Sequence, residues 1–245
     1  MNIDPRVKDN NIDEFNPIYS QQIHRGLPML QNGKIKGLIF DCYKTLIDIR
    51  TDEKSQETNE RVSNWLLYQG VKIGSDRLRE EYRRKVASRL GNSGQQYPDI
   101  RIEEIFAEIC EENAFREIDS FWLGIETAKV FRTASVRKLE AYPQSLKLLE
   151  KYRNIPKCIV SNAQRVFTEQ ELRFLGLYDH FNFVIISSDH RIKKPDTRLF
   201  KIALDNLGLE PWEVLSIGDT PENDIYPPQS LGMNAMHIHN AWKYA

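Results

Sequence analysis

The sequence predicts an α/β fold in which a doubly wound parallel sheet forms the core and a helical domain is inserted near its amino end. Short apolar runs rich in β-forming residues alternate with helical patterns, which is typical of βα repeats. Such alternation predicts a parallel sheet covered by helices on both faces. From about 50 to 135, by contrast, the periodicity is only helical. The strand-like runs lie at 36–41, 157–161, 183–187, 214–218 and 234–239.

Helical periodicity supports both parts of this division. In the core, apolar residues from Leu199 to Leu207 recur at spacings of three and four, and the pattern ends at Gly208. In the insertion, one pattern recurs every four residues from Leu78 to Leu90, and an apolar stripe follows at 102–110. We therefore divide the chain into an irregular N-terminal arm at 1–33, an α/β core at 34–50 and 136–245, and a helical domain at 51–135.

Composition restricts the class of protein. The 245 residues include 34 basic and 35 acidic side chains, so a net charge of −1 gives no global field that would recruit nucleic acid. Cys42, Cys110 and Cys158 are scattered in apolar contexts, which favours reduced thiols within the core. The amino terminus lacks the apolar segment of a secretory signal, and no run of eighteen apolar residues occurs. We expect a cytoplasmic monomer or homodimer without a membrane partner.

Polar residues that could act as catalytic or binding groups follow several of the predicted strands. Asp41 comes directly after the first apolar run, where a carboxylate is either a nucleophile or the cap of a turn. Ser161-Asn162 follows a second run, Lys194-Pro195-Asp196 lies further along the chain, and Gly218-Asp219-Thr220-Pro221-Glu222-Asn223-Asp224 follows a third run. Because the carboxyl ends of parallel strands meet at one crevice, we expect these side chains to converge.

In this order, the four segments resemble the motifs of the haloacid dehalogenase superfamily, and the resemblance covers about 36–240. The resemblance implies a Rossmann-like core with an α-helical cap and an aspartyl intermediate on Asp41. It also implies a Mg²⁺ site made by Asp41, the main-chain carbonyl of Tyr43 and Asp219, with Asp224 binding directly or through water. Ser161 and Lys194 would contact the transferred phosphoryl group, with Thr45 and Asn162 beside it. A helical cap implies a small anionic substrate such as a phosphate ester.

Two positions depart from the pattern of the phosphatases in this superfamily. Tyr43 stands where most of them carry a second aspartate that protonates the leaving alcohol, and such a group is typically worth 10² to 10⁴ in rate. Lys44 replaces the usual glycine, which raises a question about the geometry of this turn. Tyrosine at position 43 resembles the true haloacid dehalogenases, whose halide leaving group needs no proton.

Three functions therefore remain open at the level of the sequence. Retention of Asp219 and Asp224 favours a Mg²⁺-dependent phosphatase, because the dehalogenases that the chain resembles are metal-free and lack the first of these acids. The second possibility is a metal-independent 2-haloacid dehalogenase that uses Asp41 as its nucleophile. The third is a protein of the same fold that has lost turnover and serves as a binding module, which Tyr43 and Lys44 motivate.

Overall fold

The computed structural model describes residues 33–245, so the predicted arm lies outside the described residues except for Gly33. Five parallel strands form the central sheet: β1 (Gly37–Phe40), β4 (Lys157–Ser161), β5 (Phe183–Ile186), β6 (Val214–Gly218) and β7 (Asn234–His237). Their order across the sheet is β5-β4-β1-β6-β7. Each of the five predicted runs forms one of these strands.

Helices cover both faces of this sheet because successive side chains of a strand point to opposite faces. In β1, Leu38 and Phe40 belong to one hydrophobic cluster, whereas Ile39 belongs to a second cluster on the other face. The core helices are α5 (Pro143–Lys151), α6 (Arg165–Phe174), α7 (Ser187–His190), α8 (Arg198–Leu207), α9 (Tyr226–Ser230) and α10 (Ile238–Ala241). The predicted α/β architecture is confirmed.

The insertion contains four helices and its own apolar cluster. They are α1 (Gln56–Tyr68), α2 (Ser75–Gly91), α3 (Ile102–Asn113) and α4 (Ser120–Ser135). The buried residues of the cluster run from Val62 to Ala134 and include Phe106, which packs with Tyr82 and Phe131. Gly124 allows α4 to approach α3 closely, since a Cβ there would meet the backbone of Glu103. Burial of this separate cluster stabilises the helical insertion.

Two details differ from the sequence-based expectation. A two-stranded antiparallel sheet of β2 (Ile47–Thr51) and β3 (Val136–Ala141) connects the core to the helical insertion, and it was not predicted. Both strands are short and rich in charged residues, so their apolar signal is weak. The last strand ends at His237, and His239 lies in α10 rather than on the strand.

Other expectations concern the cysteines and the possibility of a membrane span. The three cysteines are free and fully buried, as the sequence predicted. Among residues 33–245, no helix combines the length and the apolar character needed to cross a bilayer.

Candidate active site

Three carboxylates converge at the carboxyl end of the central strands. Asp41 follows β1, Asp219 follows β6, and Asp224 lies in the π-helical turn Pro221–Ile225 that comes next. Since β1 and β6 are neighbours in the sheet, the fold brings their ends together. One carboxylate oxygen from each residue lies within 4.8 Å of the others. Such an all-oxygen set can hold a hard divalent cation.

Lys194 lies between two of these carboxylates. Its Nζ donates to Asp41 Oδ1 at 2.7 Å, to Asp224 Oδ1 at 2.6 Å and to the carbonyl of Val160 at 2.8 Å. All three ammonium protons therefore have acceptors, and the side chain is only 2% exposed. Burial disfavours the charge, but the two carboxylates outweigh it and raise the pKa of Lys194 to about 12. Lys194 is thus a buried cation of the site and not a surface ion pair.

The two aspartates that follow β6 both have raised pKa values. Burial and the neighbouring charge of Asp41 raise the pKa of Asp219 above its ordinary value. The pKa of Asp224 is raised to about 6. Desolvation by burial and the charge of Asp41 raise it, and they outweigh the ammonium of Lys194, which lowers it. Asp224 Oδ2 accepts from the amide of Thr220 at 3.0 Å, which fixes the carboxylate within its own turn. The cluster therefore carries more negative charge than Lys194 alone compensates.

Gly218 makes room for Asp224. A Cβ on Gly218 would lie 2.5 Å from Asp224 Oδ2 and closer still to its Cβ and Cγ. We expect Gly218→Ala to displace Asp224, to lower the free energy of unfolding by about 1–3 kcal/mol and to reduce turnover. Urea denaturation measures the first effect. Gly91→Ala is the matched control because a Cβ there meets open space; equal stability of the two variants would contradict this account.

The remaining predicted contact residues lie around the same point. Ser161, at the end of β4, donates to Asp41 Oδ1 at 3.2 Å. Asn162 accepts from the amide of Lys194 at 2.7 Å and donates to its carbonyl at 3.0 Å, so its amide orients the segment that carries the lysine. Thr45 is fully buried, and its Oγ1 has no hydrogen-bond partner among residues 33–245. The substrate contacts of these side chains stay predictions.

The side chain of Tyr43 is directed into a network that the sequence did not reveal. Its hydroxyl donates to Glu171 Oε2 at 2.6 Å and lies 2.9 Å from Thr168 Oγ1. Burial first, and then the neighbouring Cys42 and Glu171, raise the pKa of Tyr43 well above that of a free phenol. The carboxylate of Glu171 also pairs with Arg132. The sequence contains one partial sign of this network: Glu171 lies on the same face of α6 as Thr168 and Leu172, which is the buried face. That position does not identify the partners of Glu171.

The turn after Asp41 has a backbone geometry that glycine favours, although lysine occupies the position. Lys44 adopts a left-handed conformation with a φ of 63°, which costs a non-glycine residue about 1–2 kcal/mol. Its amide donates to the carbonyl of Ile47 at 2.7 Å, and the amide of Leu46 donates to that of Cys42 at 2.7 Å. Lys44 therefore holds a left-handed conformation that glycine would adopt at lower cost.

A cavity of about 410 Å³ lies beside Tyr43 and Asn162 and is bounded by both the core and the helical insertion. Tyr43, Asn162 and Phe167 line it from the core, and Asp99 and Arg132 line it from the insertion. The cavity therefore connects the residues after β1 and β4 with side chains from the helical domain, as a cleft for a small molecule would.

Comparisons with known proteins bear on the family of this chain. A family model described as haloacid dehalogenase-like hydrolase matches residues 35–232. A phosphoserine phosphatase of Thermus thermophilus is 31% identical over 147 residues, which span 58% of this chain and 59% of that protein. The chain thus matches little more than half the length of this relative.

Solved structures show the same fold at low identity. A 2-haloacid dehalogenase of Pseudomonas syringae superposes with a TM-score of 0.61 at 21% identity, covering 86% of this chain and 96% of that one. A phosphatase of Thermococcus onnurineus gives 0.53 at 22% identity, with 82% and 85% covered. The motif residues, the parallel sheet and the family match over most of the chain lead to one conclusion: this chain belongs to the haloacid dehalogenase-like hydrolase family.

Proposed function

We propose that this protein is a Mg²⁺-dependent phosphatase that acts on a small phosphorylated compound and forms an aspartyl-phosphate on Asp41. The observation that carries the proposal is the cluster of Asp41, Asp219 and Asp224 within 4.8 Å of one another. A phosphatase relative with 31% identity supports the same class of substrate. The identity of the phosphorylated compound is a separate question, which the cavity between core and insertion governs.

The charges of the site favour a bound cation. Three carboxylates against one ammonium leave a formal charge of −2, and two like charges about 4 Å apart repel by roughly 4 kcal/mol at an effective dielectric constant of 20. Asp41, Asp219 and Asp224 would hold Mg²⁺ together with the main-chain carbonyl of Tyr43, and this donor set fits an ion that prefers carboxylate oxygens and water. Mg²⁺ bound there would neutralise the site and offset the charge of the phosphate.

The residues of the chain would then act as follows. A carboxylate oxygen of Asp41 attacks phosphorus, and the bond between phosphorus and the leaving oxygen breaks. Lys194 holds the attacking carboxylate by the 2.7 Å contact to Oδ1 and supplies positive charge, while Ser161 donates to the same oxygen. In the second step, water attacks phosphorus and the bond between phosphorus and the Asp41 oxygen breaks, which regenerates the carboxylate and leaves both protons of the water on the released phosphate.

Tyr43 makes protonation of the leaving group the weak part of this reaction. Its hydroxyl already donates to Glu171, and a phenol of raised pKa is a poor acid and a poorer base. Compounds whose leaving oxygen needs no proton should therefore react best. We expect aryl phosphates to be hydrolysed faster than alkyl phosphates.

The test of the proposal is phosphate release from an aryl phosphate with and without Mg²⁺. We expect turnover that requires the cation and is abolished by a chelator, and metal-independent release would contradict the proposal. If the parent releases no phosphate but Tyr43→Asp does, the chain is a binding module that has lost turnover.

One observation favours a second function. Tyr43, the residue expected of a dehalogenase, lies in the wall of the cavity. Against this stands the charge of −2, which would repel the carboxylate of a haloacid when no cation is bound. Release of chloride from a chlorinated short acid in the presence of chelator would favour this alternative over the phosphatase.

We also propose that residues 51–135 act as a cap that controls access to Asp41. Asp99 and Arg132 from this segment line the cavity beside Tyr43 and Asn162. A cap in this position would admit a small molecule and exclude a folded macromolecule.

A further inference from the structure

A buried network joins the loop after the nucleophile to the helical insertion. Glu171 is its centre: the carboxylate accepts from Arg132 Nε at 2.6 Å and from Arg132 Nη2 at 3.1 Å, and Oε2 also accepts from the Tyr43 hydroxyl at 2.6 Å. Arg132 belongs to α4 of the insertion, whereas Glu171 belongs to α6 of the core and Tyr43 lies two residues after Asp41. One carboxylate thus joins three separate parts of the chain: its own helix, α4 and the loop after Asp41.

The packing around this network restrains it further. The guanidinium of Arg132 lies 4.4 Å from the ring centroid of Phe167 and 5.2 Å from that of Tyr43. The side chains of Arg132 and Glu171 are only 10% and 8% exposed, so salt and water screen the pair weakly. Tyr43, Arg132 and Phe167 all line the 410 Å³ cavity. A molecule in that cavity would therefore contact the same side chains that join the cap to the core.

Global stability is a weak explanation for such a pair. Burial of two charges costs several kcal/mol per ion, and well-packed apolar residues often replace a buried ion pair without loss of stability. Unlike apolar residues, the pair of Arg132 and Glu171 provides an oriented acceptor for the hydroxyl of Tyr43. The bidentate contact fixes the orientation of the Glu171 carboxylate, and that carboxylate in turn fixes the Tyr43 ring.

We propose that Glu171 is a positioning residue that couples the docking of the helical cap to the order of the loop carrying Asp41. When Arg132 is docked, Glu171 holds Tyr43, and Tyr43 holds the backbone at positions 42–46. When the cap moves away, the carboxylate loses its bidentate partner and the loop loosens. The kinetic part of this inference rests on the phosphatase function proposed above, whereas the structural part is independent of any activity.

The activity-independent experiment is amide hydrogen exchange on Glu171→Gln. We expect faster exchange both in the C-terminal half of α4 and in residues 42–46, which are far apart in sequence. Glu169→Gln is the matched control, since it removes the same charge from the same helix but breaks only partly exposed pairs with Arg165 and Arg173. Unchanged exchange at 42–46 in Glu171→Gln would overturn the inference, even if the protein hydrolyses no phosphate ester.

The kinetic experiment is a double-mutant cycle with Tyr43→Phe. We expect Glu171→Gln to lower kcat on an aryl phosphate about tenfold with little change in KM, because the loop is misplaced and the binding groups are kept. In the Tyr43→Phe background, the same change should have almost no further effect on kcat. Multiplicative effects would show that Glu171 does not act through Tyr43 and would overturn the inference. Glu169→Gln should leave kcat unchanged.

Discussion

Replacement of Asp41 by asparagine is expected to lower the rate of phosphate release by at least about a thousandfold, because an amide oxygen cannot form the aspartyl-phosphate. The fold should survive. Asparagine has the same shape, its Oδ1 can still accept from Lys194 and Ser161, and one charge is removed from a cluster of like charges. Initial rates with an aryl phosphate, together with a thermal melt, separate the chemical effect from the structural one.

The control for this variant is Asp205→Asn, an equal change at an exposed position of α8. It should match the parent in both rate and stability. Retention of more than about a tenth of the parent rate in Asp41→Asn would show that another group attacks phosphorus. A large loss of stability would show instead that the carboxylate is chiefly structural.

Replacement of Lys194 by methionine is expected to cost about 3–5 kcal/mol of unfolding free energy, because the change removes the ammonium that pairs with two buried carboxylates and donates to the carbonyl of Val160. Activity should be lost as well. Added Mg²⁺ should recover part of the lost stability, since a cation that binds only the folded state stabilises it by mass action. Urea denaturation with and without Mg²⁺ measures both effects.

Lys201→Met provides the comparison, because this lysine is exposed on α8 and should change stability by no more than about 0.5 kcal/mol. If Lys194→Met is as stable as Lys201→Met in the absence of Mg²⁺, then the contacts of Lys194 do not hold the site together. A loss that Mg²⁺ deepens would contradict the idea that lysine and cation neutralise the same carboxylates.

The positions of the strands and of the acidic residues were predictable because each depends on a local pattern. Val214–Gly218 is a strand-like run followed directly by Asp219, and nothing else in the chain is needed to place Asp219 at a strand end. The topology rule for parallel sheets then brings it near Asp41. The convergence of Asp41, Asp219 and Asp224 thus followed from sequence and topology together.

The network of Glu171 could not be predicted in the same way. Arg132 and Glu171 are separated by 39 residues and lie on helices whose relative position depends on packing between the insertion and the core. No local pattern in the sequence predicts the contact between Arg132 and Glu171 or the contact between Glu171 and Tyr43. A buried-face carboxylate in α6 was the only local sign, and it does not identify a partner. The pair β2 and β3 was missed because its alternation is short and interrupted by charges.

Calorimetric titration of the protein with Mg²⁺ shows whether the three aspartates form one cation site. We expect one ion bound per chain, with an affinity that falls at least about tenfold in Asp219→Asn and is unchanged in Glu222→Gln, an exposed acid of the same segment. Absence of binding at millimolar Mg²⁺, or equal affinities in the parent and Asp219→Asn, would contradict this expectation.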